Sequence, residues 1–140
     1  MRQFINKLTL SPKKLFLVDG VGAFLTAFFL FAILRTFHDY FGMPGQTLTL
    51  LSIIAMAFSV YSFCCFFMVH FNWYPFLRAI SIANLLYCSV TLGLVIYNYP
   101  RLTILGVIYF LVEIVIVCAL VFLENKCINH YQQKKKDQIE

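Results

Sequence analysis

Four stretches of this chain are apolar over the length that a bilayer demands, and each confines its polar residues to one side. They fall at residues 15–37, 47–70, 75–97 and 102–123; a hydrocarbon core of about 30 Å takes about 20 helical residues to cross. The third is the plainest. At about 100° per residue, Ser81, Asn84, Cys88 and Thr91 lie within an arc of about 80°, with Tyr87 beside them and Arg78 at the other edge. The opposite side reads Ala79, Ile82, Leu86, Val90, Gly93 and Ile96, with nothing polar. Such a helix turns one face to protein and the other to lipid.

The other three repeat the pattern. Asp19, Gly22, Ala23 and Thr26 share an arc of about 100° on the first stretch, away from Phe24, Phe28 and Phe31. Ser52, Ala55, Ser59 and Ser62 share about 80° on the second, and His70 continues the stripe. Gly106, Tyr109, Glu113 and Glu124 share about 60° on the fourth. Small residues on one face let helices approach closely, which is what drives packing in lipid.

Short connections follow from the breakers. Residues 38–46, with Gly42, Pro44 and Gly45, form an outer turn; 71–75 and 98–101 form tight ones, with Trp73 and Tyr74 at headgroup level. Residues 1–14 mix Phe4, Ile5, Leu8 and Leu10 with Arg2 and Lys7, a segment suited to the headgroup region. Ser11-Pro12 starts the first long helix as N-cap and first helical residue. Residues 125–140 are polar and basic, a cytoplasmic tail expected to fray or be disordered. With no internal repeat, the expected fold is all-α: an integral membrane four-helix bundle, up-down-up-down, its transmembrane domain spanning 15–124.

Composition agrees. Of 140 residues, 61% are hydrophobic and 12% charged, and the mean hydropathy is +0.83. A soluble domain of this size has too little interior for so much apolar surface. The net charge of +5 is a topology signal rather than a nucleic-acid footprint. Arg2, Lys7, Lys13 and Lys14 precede the first span, Lys126 and Lys134 to Lys136 follow the fourth, and only Arg35 and Arg101 lie on the other side. By the positive-inside rule both termini are cytoplasmic. The first apolar run is too long for a signal peptide, contains Asp19 and lacks an A-x-A-like cleavage site, so it reads as a retained span. Cys64, Cys65, Cys88, Cys118 and Cys127 form no C-x-x-C pair and no ligand spacing with His; four lie in apolar runs, where Cys is a small hydrophobe.

Depth sorts the charged side chains. Counted from the cytoplasmic boundary at about 1.5 Å per residue, Asp19 lies about 6 Å deep and Arg78 about 5 Å deep, natural partners for a cytoplasmic-side ion pair. Snorkelling of both to the interface is the alternative. Glu113 lies about 15 Å in, near the midplane, out of reach of either surface. Asn84, Tyr87, Tyr109, Thr26, Ser59 and Ser62 reach a similar depth, which predicts a polar layer contributed by all four helices. An isolated carboxylate is costly there, so a neutral, hydrogen-bonding Glu113 is expected. It serves either as interhelical glue or as a proton- or ligand-binding group. No metal-ligand set, no catalytic Ser/His/Asp set and no cofactor motif is present; Gly20-Val21-Gly22 suits close packing rather than phosphate.

Val18-Asp19-Gly20 with Gly22, Phe41-Gly42-Met43-Pro44, Tyr61-Ser62, Asn84-Leu85-Leu86-Tyr87-Cys88 and Tyr109-Phe110 with Glu113 together resemble small four-span bacterial inner-membrane proteins. The resemblance implies that location and four spans, and it carries no activity over. The chain is also similar to small multidrug resistance transporters in having four short spans with an acid in the first. It departs from them in the shallow position of Asp19 and in placing its deep carboxyl in the fourth span.

The expectation is therefore a non-catalytic membrane protein without cofactor. Its interior binds a lipid-like or small amphipathic ligand, or it pairs with a membrane protein or a second copy of itself. A proton-coupled transporter or channel subunit using Glu113 is the main alternative. An intramembrane lipid-modifying enzyme and an immunity or assembly factor also stay open.

Overall fold

The computed structural model describes residues 1–68 and 70–140; Val69, expected in the second span, lies outside the described residues, as do the side chains of Ile5, Leu8 and Thr9. The described residues form helices and no strands: α1 (Arg2–Thr9), α2 (Pro12–Phe28, continuing as a π-helical stretch Phe29–Leu34), α3 (His38–Phe41), α4 (Gly45–Met68), α5 (Tyr74–Tyr97) and α6 (Ile104–Asp137). Four of these helices, α2, α4, α5 and α6, are long and apolar enough to cross a membrane. At 1.5 Å per residue the 24 residues of α4 and of α5 measure about 36 Å, and the 34 of α6 about 51 Å. α6 is thus about 20 Å longer than the hydrocarbon it has to cross.

The faces read from periodicity point where expected. On α5, Ser81, Asn84, Tyr87, Cys88 and Thr91 are buried, while Ala79, Ile82, Leu86, Val90, Gly93 and Ile96 are exposed. On α4 the stripe Ser52, Ala55, Ser59, Ser62 is entirely buried. Phe24, Phe28, Phe29 and Phe31 cover the outside of α2.

The helices associate as two hairpins, α2 along α4 and α5 along α6. In the first, serine hydroxyls of α4 donate to backbone carbonyls of α2: Ser59 to Gly20 (2.9 Å) and Ser52 to Ala27 (3.0 Å). Only short side chains allow a hydroxyl to reach the neighbouring helix backbone, so the small stripe sets the close approach. The core gathers in two clusters. One joins Leu15, Phe16, Cys65, Leu77, Ile80, Cys127 and Ile128. The other joins Leu30, Leu34, Leu48, Leu51, Tyr87, Val95 and Phe110. All five cysteines are free.

Both ends differ from expectation in an instructive way. Ser11 occupies the N-cap of α2, with Pro12 following, but its side chain makes no capping bond. The polar stretch from Asn125, expected to fray, continues α6 without a break to Asp137. The reason is tertiary. Cys127 and Ile128 are core residues, Tyr131 packs against Trp73 with centroids 4.8 Å apart, and Gln132 donates to the Tyr74 hydroxyl. The α4–α5 connection therefore braces the helix past its apolar portion.

At the opposite end, Gly42 closes α3 in the left-handed region (φ 75°), and Thr103 caps α6. Its hydroxyl donates to the Tyr40 carbonyl (2.6 Å) and accepts from the Gly106 amide, while its amide donates to the Phe41 carbonyl. A Cβ at Gly42 would overlap the Arg101 carbonyl, and one at Gly106 the Phe41 carbonyl; one at Gly93 meets nothing. Gly42→Ala is therefore expected to lower unfolding stability in mixed micelles by at least about 1–3 kcal/mol. Gly93→Ala should be neutral or stabilising by up to about 1 kcal/mol. Equal effects of the two would contradict the turn geometry.

Candidate functional site

The buried polar residues divide into two groups. In the first, Asp19 of α2, Asn84 of α5 and Glu124 of α6 expose 3%, 5% and 1% of their surfaces. The Asn84 amide nitrogen donates to Asp19 Oδ1 at 2.7 Å and to Glu124 Oε1 at 3.4 Å. Ser62 of α4 donates to the other Asp19 oxygen, Oδ2, at 2.5 Å. All four long helices thus meet in one hydrogen-bonded group. Ser81 lies beside it, donating to Asn125 at 3.3 Å.

The second group belongs to the α5–α6 hairpin. Tyr87 donates its hydroxyl to Glu113 Oε1 at 2.6 Å. Phe58 packs edge-on against the Tyr87 ring, and Tyr109 against Phe110 and Phe41. Glu113 exposes 6% of its surface, yet its second oxygen, Oε2, has no hydrogen-bond partner. An unpaired buried polar atom costs about 1–3 kcal/mol.

Between the two groups lies a cavity of about 240 Å³. Its polar lining is Asp19, Thr26, Asn84, Tyr87, Tyr109 and Glu113. The rest is apolar and includes Gly22, Ala23, Phe58 and Leu120. Leu25 and Phe29 of α2 and Ile116 of α6 also line it, and all three are exposed on the outer surface. The cavity therefore has a rim on the side between α2 and α6. No Lys, Arg or His lines it.

Of the residues expected to form a deep polar layer, Glu113, Asn84, Tyr87, Tyr109 and Thr26 come together around this cavity. Ser59 and Ser62 do not line it. Their hydroxyls are used within the α2–α4 hairpin, Ser59 on the Gly20 carbonyl and Ser62 on Asp19. The expected Asp19–Arg78 ion pair does not form. Asp19 is held by Ser62 and Asn84, and Arg78 is exposed; among the described residues the one ion pair is His38–Asp39. A carboxyl about two turns inside α2 finds amide and hydroxyl donors nearer than a guanidinium free to reach outward. Glu124 was absent from the expected site. Its spacing of 11 from Glu113, three helical turns, already set it on the same face, but its position next to the polar tail disguised its burial. Among the described residues, no group of His, Cys, Asp and Glu is arranged to hold a metal ion.

No protein family, curated protein or solved structure matches the chain. Its site is interpretable through its own geometry.

Removing the Asn84 amide leaves two buried carboxyl groups facing each other without their shared donor. Asn84→Ala should lower unfolding stability by about 1–3 kcal/mol. Ser89→Ala on the exposed side of α5 should change it by less than about 0.5 kcal/mol. Tyr87→Phe, which removes one interhelical bond, should cost about 0.6 kcal/mol and at most about 1.7. Reversible unfolding in bicelles measures all three, and an Asn84→Ala variant as stable as Ser89→Ala would remove the bridging role.

Proposed function

We propose that the chain is an integral membrane protein that crosses four times, up-down-up-down with both termini cytoplasmic, and that its interior binds a lipid-like or small amphipathic ligand without catalysis. One observation carries the reading: a buried carboxyl oxygen, Glu113 Oε2, has no partner and belongs to a residue lining a cavity whose rim is made of lipid-exposed side chains. Glu124 also keeps one buried oxygen without a donor, but it lies outside the cavity; of the two acids that line it, Asp19 has both oxygens satisfied and only Glu113 keeps one free. The charge asymmetry of the termini supports the orientation. The apolar rim matches an alkyl chain, and the polar depth matches a headgroup.

The size of the cavity narrows the ligand. Small-molecule pockets run to about 300–1,000 Å³, so 240 Å³ suits part of a molecule, with the remainder lying along the rim. A proton-coupled transporter subunit is a second reading. It draws on the same unpartnered oxygen, since an intramembrane carboxyl is a common proton carrier. It requires pH-dependent flux in proteoliposomes that is abolished in Glu113→Ala.

The binding reading is tested by extracting the protein in native nanodiscs and identifying retained amphiphiles by mass spectrometry. A stoichiometric amphiphile is expected, lost in the double variant Glu113→Gln/Asn84→Ala and in Ala23→Phe, which fills the cavity while leaving every acid in place. Retention of the same molecule by Ala23→Phe, or no retained amphiphile in the unaltered protein, would refute it.

A further inference from the structure

We propose that the ligand is a cationic amphiphile of the alkylamine class, its ammonium group against Glu113 and its chain leaving between α2 and α6. The proposal rests on the binding reading above and adds the sign and size of the headgroup.

The sign follows from the walls. Asp19 and Glu113 line the cavity, and Glu124 joins Asp19 through Asn84. Against these three acids the cavity has no basic residue, and the nearest basic candidate read from the sequence, Arg78, is exposed. A carboxyl in apolar surroundings is stable with its proton or beside a cation, and unstable otherwise. An anionic headgroup would bring a charge that no basic residue of the lining can balance. A cation instead supplies what Glu113 Oε2, which no protein donor reaches, lacks. Asp19 is a poorer counterpart, because both its oxygens already accept. The rings of Tyr87, Tyr109, Phe58 and Phe29 also line the cavity, and aromatic faces attract cations.

The size follows from the volume. At 240 Å³ the cavity falls below the range of about 300–1,000 Å³ usual for small-molecule pockets, room for a small headgroup rather than a whole amphiphile. That accommodates an ammonium group with a few carbons. A phospholipid headgroup with its glycerol is larger and brings a phosphate. The remaining alkyl chain has an apolar path along Leu25, Phe29 and Ile116, all exposed toward the surroundings.

The test uses the full chain in nanodiscs of neutral lipid and three photoreactive probes of equal chain length: a dodecylamine, a dodecanol and a dodecyl phosphate, each with a diazirine in the chain. Labelled residues are mapped by mass spectrometry. The amine is expected to label the Leu25–Phe29 and Ile116 rim about tenfold more than the alcohol, a factor equal to about 1.4 kcal/mol, and the phosphate least. Glu113→Gln keeps a side chain that Tyr87 can bond. It should bring amine labelling down to the level that the alcohol gives in the same variant, while a helical circular-dichroism spectrum and melting temperature equal to those of the unaltered protein report that the variant is folded. Ala23→Phe should abolish rim labelling by both. Equal labelling by amine and alcohol in the unaltered protein would overturn the cationic ligand and leave an amphiphile site standing. Stronger labelling by the phosphate would also overturn it. Rim labelling no higher than in Ala23→Phe for every probe would overturn both the ligand class and the binding reading.

Discussion

Asn84 uses one amide nitrogen to hold two carboxyl groups from different hairpins, Asp19 on α2 and Glu124 on α6. Much else in the structure depends on that bridge. Within each hairpin the helices are held by local means: serine hydroxyls on carbonyls in α2–α4, and Tyr87 on Glu113 in α5–α6. Between hairpins the apolar contacts belong to larger side chains, such as Phe16 with Leu77 and Ile80 in one cluster and Leu51 with Tyr87 and Phe110 in the other. In lipid there is no hydrophobic drive to bring two apolar hairpins together, so hydrogen bonds and close packing decide the association. A polar group that would be poorly satisfied on either hairpin alone is well placed to specify the pairing.

The same physics explains why the interior is tight in one direction and hollow in the other. Gly20, Ala27 and the serines of α4 are small, so α2 and α4 approach until hydroxyls meet backbone. Phe58, Tyr87 and Tyr109 are large, rigid rings, and they line the cavity together with Glu113. Gly22 and Ala23 on the facing side of α2 are too short to fill it; a Cβ on Gly22 would meet only Leu120, at 3.8 Å. Large rings opposite small residues would interdigitate if they were in register. Here they leave about 240 Å³ unoccupied, beside the carboxyl that lacks a partner.

How much of this was legible in the sequence depends on whether a feature belongs to one helix or to two. Hydropathy and a period of 3.6 residues are properties of one helix, and they located the four long helices and their inward faces, down to the alternation of Ser81, Asn84, Tyr87 and Cys88 against Ile82, Leu86 and Val90. Partners are properties of two. A helical wheel gives the angle of Ser59 and Ser62 without saying that α2 lies against them closely enough to use up their hydroxyls. It gives Asp19 and Arg78 equal depth without saying that one points in and the other out. Glu124 shows the same limit from the other side. Its angle was readable, but its burial comes from Cys127, Ile128 and Tyr131 continuing the packing beyond the apolar run, which local polarity hides.

The two acids that line the cavity, Asp19 and Glu113, then separate by how completely each is satisfied. Asp19 has a donor for each oxygen, from α4 and from α5, so its contribution to holding the helices together needs nothing from outside. Glu113 has one donor for two oxygens, at a place where the protein could have supplied another: Thr26 and Asn84 line the same cavity, and Asn84 spends its amide nitrogen on the other acids. Glu124 is likewise buried and half-satisfied away from the void, so the unpaired oxygen alone gives no reason to keep Glu113 beside the cavity. A group that completes its bonding only when the void is filled does give one, and among chemical groups of that size a donor of positive charge matches both the oxygen and the surrounding rings.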